Sequence, residues 1–179
     1  MARIREPAPA FRARAAMPDG AVRDLGPADF AGRWLVLAFY PRDFSEICPT
    51  EVLELSKRAP ELAALGASVV ALSVDDVETH RRWIAEKLGP IAVPLAEDPT
   101  REISRAYGAL LEREGFAARA TFVVDPVGVV RHASFGDPAV ARSISEILRV
   151  LEALRARRQV PGPLEGPAGG RTPGRKPQG

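Results

Sequence analysis

The residues best placed to do chemistry fall in one stretch, Phe39-Tyr40-Pro41-Arg42-Asp43-Phe44-Ser45-Glu46-Ile47-Cys48-Pro49-Thr50-Glu51, which contains the only cysteine of 179 residues. The pattern predicts an apolar strand from Trp34 to Tyr40, a short polar loop, and a helix that opens at the cysteine. A thiol in that position faces unpaired backbone N–H groups and the positive end of the helix dipole, which favour thiolate over thiol. Nucleophilic or redox chemistry would follow. A cysteine after a strand also serves as plain core filling, and the local pattern leaves both readings open. A dithiol exchange motif is excluded, because Cys-x-x-Cys would need a thiol where Glu51 stands.

The composition removes other classes of function. With 46% apolar residues, the chain suits one globular domain over residues 1–160. The net charge of +2 resides in residues 161–179, where Arg171, Arg175 and Lys176 face only Glu165. The arginines elsewhere are not interleaved with aromatics, so no nucleic-acid surface is expected. No apolar run approaches the roughly 20 residues that span a bilayer, so no membrane partner is expected. One cysteine excludes an intrachain disulfide and fits a reducing compartment, which makes the cytoplasm the expected location. His80 and His132 lack ligand-like spacing with carboxylates and read as surface or structural residues, and neither metal nor cofactor is expected.

The elements that must position Cys48 can be read along the chain. Pro18-Asp19-Gly20 is a turn signal, with Ala21 to Leu25 as the second arm of an N-terminal hairpin. Val52, Leu55, Ala59 and Leu62 share one face of a helix that ends near Gly66, with Pro49 in its first turn and Pro60 predicting a kink or break. Ser68 to Val74 is a second buried strand, and Asp75 or Asp76 caps a helix running to Leu88. Ile91 to Leu95 reads as a short strand, and Asp98-Pro99 opens a brief helix that stops near Gly108. Ala120 to Val124 and Val129 to Ser134 flank a turn, as antiparallel strands do, and the last helix carries Ile144, Ile147, Leu148, Leu151 and Leu154 behind a Ser143–Glu146 capping box. Of the last 19 residues, 11 are glycine or proline, which predicts a disordered tail over 161–179. Alternating strands and helices give an α/β class with a central mixed sheet flanked by helices. A cysteine that follows a central strand and opens a helix is also where the thioredoxin fold keeps its redox group.

The pattern Pro41, Ser45, Cys48 resembles the Pro-x-x-x-Thr/Ser-x-x-Cys signature of the peroxiredoxins. The surrounding residues are similar to the typical two-cysteine branch, which includes the bacterial alkyl hydroperoxide reductases. Residues 96–108, Arg119 to Gly128 and Arg142 to Leu151 resemble further segments of that branch, so the likeness runs from about residue 5 to 157. The resemblance implies a thioredoxin-like fold and peroxidase activity toward hydrogen peroxide and organic hydroperoxides. It implies Cys48 as the peroxidatic nucleophile, Arg119 approaching sulfur and peroxide, and Ser45 offering its hydroxyl to both. Pro41 would shield the pocket, while Glu51 and Arg142 would hold Arg119. Homodimers are implied, as are rings of five dimers.

Ionisation alone would not suffice for such an enzyme. A thiol of pKa ~8.5 is about 3% thiolate at pH 7 and one near 6 about 90%, a gain of roughly thirty-fold. Alignment of the O–O bond must supply most of the rest.

One departure from the branch stands out. The resolving cysteine, in a segment resembling Val-Cys-Pro-Ala-Gly-Trp, is replaced by Leu164-Glu165-Gly166-Pro167-Ala168-Gly169-Gly170. One-cysteine use follows, with an external thiol or thioredoxin-like reductant restoring Cys48. A redox sensor without turnover, or a holdase-like assembly on the same scaffold, is the alternative.

Overall fold

The run Trp34–Phe39 becomes β3, the strand on which the sheet is built. In the computed structural model, which describes residues 1–158, all six of its residues are buried. Its side chains alternate between two cores, as the two-residue period of a strand requires. Trp34, Val36 and Ala38 face one layer, and Leu35, Leu37 and Phe39 the other. The first layer holds α1 (Cys48–Ala64), α2 (Val77–Trp83) and α4 (Ile144–Arg158). On the second lie α3 (Glu102–Tyr107) and Phe30, which closes a 3-10 turn at Pro27–Phe30.

The remaining strands of the sheet are β1 (Ala13–Ala16), β2 (Val22–Leu25), β4 (Ala67–Ser73), β5 (Leu95–Glu97), β8 (Arg119–Val124) and β9 (Val130–Gly136). Between α3 and β8 stands a separate two-stranded hairpin, β6 (Leu110–Leu111) with β7 (Phe116–Ala117). The seven-stranded order is β2-β1-β5-β4-β3-β8-β9. β3 pairs parallel with β4 and antiparallel with β8, so the sheet is mixed. The N-terminal hairpin is β1–β2, as the turn signal predicts. No helix among the described residues is long and apolar enough to cross a membrane.

Several local expectations are corrected. α1 runs unbroken through Pro60 and ends before Gly66, whose φ of 72° supplies the left-handed residue that stops it. The short strand lies at Leu95–Glu97 and not over Ile91 to Leu95, because Pro94 brings no N–H to the ladder and only its carbonyl joins, accepting from Ala71. α3 begins at Glu102, beyond Pro99. Asp98 still caps it from a distance, its carboxylate accepting from the N–H groups of Ile103 (3.1 Å) and Ser104 (2.7 Å). Only Asp76 caps α2, accepting from Thr79 N–H, and the run to Leu88 closes in a wider π turn from Ile84. Half of the expected capping box forms: Ser143 Oγ accepts from Glu146 N–H, while the Glu146 carboxylate turns to Arg149. The tail expected at 161–179, and the last two residues of the domain expected to end at 160, lie outside the described residues.

Leu151 joins α4 to the first core and is fully buried. Leu151→Ala should lower the unfolding free energy by about 2–5 kcal/mol, read from the urea midpoint at constant m-value.

Candidate active site

Cys48 is the first residue of α1, fully buried where the chain leaves the C-terminal end of β3. Sheet pairing brings in its distant partner. β8 lies antiparallel beside β3, with Ala38 opposite Thr121, so Arg119 at the start of β8 meets the loop that follows Phe39. Arg119 Nη1 donates to Cys48 Sγ at 3.4 Å. The same nitrogen donates to Glu51 Oε2 at 2.6 Å, and Nε donates to the Pro138 carbonyl at 2.8 Å.

Glu51 sits one turn after Cys48 on α1, so helical spacing places its carboxylate beside the sulfur's face. Its other oxygen accepts from the Arg142 backbone N–H (2.7 Å) and Nε (2.9 Å). Arg142 Nη1 donates further to the Ala120 carbonyl and Thr121 Oγ1, and Nη2 to the Phe39 carbonyl. Burial pushes the Arg142 guanidinium pKa down, against the carboxylate of Glu51. Two guanidinium groups and one carboxylate thus share a site almost closed to water, with side-chain exposures of 2%, 6% and 2% for Arg119, Arg142 and Glu51.

Ser45 is placed differently from the expectation. Its Oγ accepts from the Cys48 backbone N–H at 3.3 Å, which helps to hold the first turn of α1, and no Ser45–sulfur hydrogen bond accompanies it. The hydroxyl proton remains available to the cleft. That cleft has a volume of about 310 Å³ and is walled by Pro41, Ser45, Ile47, Phe116, Arg119 and Pro138, with the exposed Arg42 and Glu46 also lining it. All six expected residues therefore converge. Sequence reasoning missed Phe116, Arg42 and the Pro138 carbonyl. The strands β6 and β7 are two residues each, too short for any periodicity to reveal them.

Behind the loop lies a second buried group that the sequence did not reveal. Tyr40 Oη donates to Asp43 Oδ1 at 2.8 Å, and His80 Nδ1 lies 2.7 Å from Asp43 Oδ2. His80 Nε2 faces the Ala96 carbonyl at 3.2 Å; a carbonyl only accepts, so Nε2 carries a proton, and one more proton lies between Nδ1 and Asp43. The Asp43 backbone N–H donates to Asp75, which also accepts from Ser73 Oγ. His80 is thus the structural histidine of the two alternatives, and the expected Asp75 cap is instead a loop anchor.

The family model described as AhpC/TSA matches residues 4–133. The chain belongs to the AhpC/TSA family of peroxiredoxins. It is 42% identical over 159 residues to Peroxiredoxin-2 of Pongo abelii, covering 86% of this chain and 89% of that protein. Among solved structures, the reduced 2-Cys peroxiredoxin of Plasmodium vivax superposes with a TM-score of 0.85 at 30% identity, covering 87% of this chain and 83% of that one. Enterococcus faecalis AhpC gives 0.86 at 29% identity, covering 93% and 100%. The fold is therefore the thioredoxin-like one of the peroxiredoxins, and the protein is a thiol-dependent peroxidase.

Burial raises the Asp43 carboxyl pKa, against the lowering pull of His80. The unfolded chain, with its carboxyl at about 3.9, then releases this proton first as pH climbs. The stability due to Asp43 is complete below that value and is lost as pH rises through the folded pKa. Over this window the urea midpoint of the wild type should fall relative to that of Asp43→Asn. Parallel curves would contradict the raised pKa of the Asp43 carboxyl.

Proposed function

We propose that Cys48 is the sole peroxidatic residue of this peroxiredoxin and that an external thiol restores it. The observation that carries the reading is the 3.4 Å hydrogen bond from Arg119 to Cys48 Sγ inside a buried cluster with excess positive charge. Two guanidinium groups against one carboxylate leave one positive charge uncompensated, and a thiolate at Cys48 neutralises it. Arginine does not deprotonate, so the sulfur is where negative charge is stabilised.

The thiolate attacks the terminal peroxide oxygen. An S–O bond forms, the O–O bond breaks, and the leaving alkoxide or hydroxide takes a proton to give alcohol or water. Arg119 supplies a donor for the charge developing on the leaving oxygen, with the Ser45 hydroxyl as second donor and Pro41 excluding water. Glu51 and Arg142 position Arg119. Sulfenic acid at Cys48 is then attacked by an external thiol, releasing water and leaving a mixed disulfide. A second thiol frees Cys48 as the reductant becomes a disulfide.

A thioredoxin-like protein or small thiol serves as reductant, and a cytoplasmic setting goes with a sole thiol that depends on a reducing pool. The outer edge of β9 beyond Val130, where the pairing with Arg5 and Glu6 ends, carries the half-exposed Phe135 and supports pairing of two copies as a homodimer.

With dithiothreitol as donor, the wild type should consume hydrogen peroxide and Cys48→Ser should not. Equal consumption by the two proteins would sink the assignment. After one equivalent of peroxide, intact mass should rise by about one oxygen, trappable as sulfenic acid. Arg119→Lys, which keeps the charge but loses the planar fork, should lower kcat/KM for peroxide by about 10²-fold. A loss below two-fold would remove Arg119 from the chemistry.

A further inference from the structure

Arg42 is the cation of the cleft none of whose donors is spent. Arg119 commits Nη1 to sulfur and Glu51 and Nε to the Pro138 carbonyl. Arg42 makes no ion pair and no side-chain hydrogen bond with any described residue, yet its position is set. Its guanidinium carbon lies 4.6 Å from the centroid of the Phe116 ring, on the hairpin that walls the cleft. A guanidinium held by its face keeps its in-plane N–H groups open, the arrangement that takes a carboxylate in two parallel hydrogen bonds.

The cleft that Arg42 lines together with Arg119, the donor to Cys48 Sγ, is larger than hydrogen peroxide requires. A water molecule occupies about 30 Å³ of liquid, so hydrogen peroxide fills only a small part of a cleft of about 310 Å³. The walls beyond Arg42 are apolar: Phe116, Ile47, Pro41 and Pro138. We propose that Arg42 is a specificity-determining residue that binds the carboxylate of organic hydroperoxides carrying one, with the apolar body against Phe116 and the hydroperoxide toward Cys48. The chemistry is unchanged: the S–O bond forms, the O–O bond breaks, and the substrate leaves as the carboxylate-bearing alcohol. The inference rests on Cys48 being the peroxide-reactive thiol.

Glu46 is the opposing group. It lines the same cleft, is exposed, and makes no ion pair among the described residues. Its carboxylate disfavours an anionic substrate, so removing its charge should act opposite in sign to removing that of Arg42.

The test is single-turnover oxidation of Cys48 in the full chain, followed by intact mass, which needs no reductant. The probes are cumene hydroperoxide, its para-carboxylate and hydrogen peroxide. The carboxylate should oxidise wild-type Cys48 about three- to ten-fold faster than the neutral isostere. That ratio should fall to about one in Arg42→Gln and below one in Arg42→Glu, and rise in Glu46→Gln. It should also shrink between about 0.05 and 0.5 M salt. Because the readout is a ratio within each protein, a general loss of reactivity in a variant does not imitate the effect. Equal rates for the two isosteres in the wild type, or a ratio unmoved in Arg42→Gln, would overturn the proposal while leaving the peroxidatic assignment intact. Failure of all three peroxides to add oxygen to Cys48 would overturn that assignment and this proposal together.

Discussion

Glu51 holds two arginines at once, and the site depends on that one carboxylate. Each of its oxygens accepts from a different guanidinium, one from the start of β8 and one from the segment entering α4. A buried carboxylate with a single cation is at best marginal, because desolvation offsets most of the Coulombic gain. Here the geometry is filled out by the Pro138, Ala120 and Phe39 carbonyls and by Thr121 Oγ1, so every charged group is also hydrogen-bonded. The surplus is one positive charge, and among the described residues the acidic atom in contact with it that is not a carboxylate is the sulfur of Cys48. Glu51 also lies on α1 itself, so the group that aims the arginine is fixed to the same helix as the group it is aimed at.

The loop between β3 and α1 is held from two sides by chemically different means. On the sulfur side the mooring is ionic, through Glu51, Arg119 and Arg142. On the far side it is a hydrogen-bonded cluster in which Tyr40, Asp43, His80 and Asp75 join the end of β3 to α2 and to β5 through the Ala96 carbonyl. Tyr40 remains a donor because burial raises its hydroxyl pKa well above the ordinary value. The stack of Tyr40 on Trp83, with ring centroids 5.9 Å apart, packs this cluster against α2. Phe44, at the tip, adopts a φ of 53°, an uncommon conformation for a bulky residue, which a loop anchored at both ends can sustain. Such rigidity matters in a site whose chemistry rests on alignment more than on ionisation.

What the sequence disclosed follows from the range of the interactions involved. β3 and β4 were legible as near-continuous apolar runs of strand length, and α1 because its apolar residues recur with the helical period. Asp76 was legible as a cap because capping is local. The position of β5 was misread because an apolar run does not reveal which residues have a neighbour to pair with, and Pro94 decided that. Cys48, Ser45 and Glu51 lie within seven residues of one another, and local physics alone makes Cys48 suggestive. Arg119 and Arg142 are brought in only by the β3–β8 register and by α4 packing, so resemblance to a known family had to supply them. No such help existed for Asp43 with His80, or for Arg42 over Phe116. Each pairs residues from separate elements whose sequence neighbourhoods announce nothing.

The missing second cysteine can be weighed against this architecture. Among the described residues, the contacts that fix Cys48 and Arg119 are made between Phe39 and Arg142, together with the packing of α4. None of these contacts calls on the segment where the two-cysteine branch carries its resolving thiol. Oxidation of Cys48 and its reduction are therefore separable in the fold. The first needs a fixed arginine, a helix end and a small cleft, all present within the described residues. The second needs only that another thiol reach the sulfenic acid. A change in where the electrons come from would leave the groups described around Cys48 undisturbed.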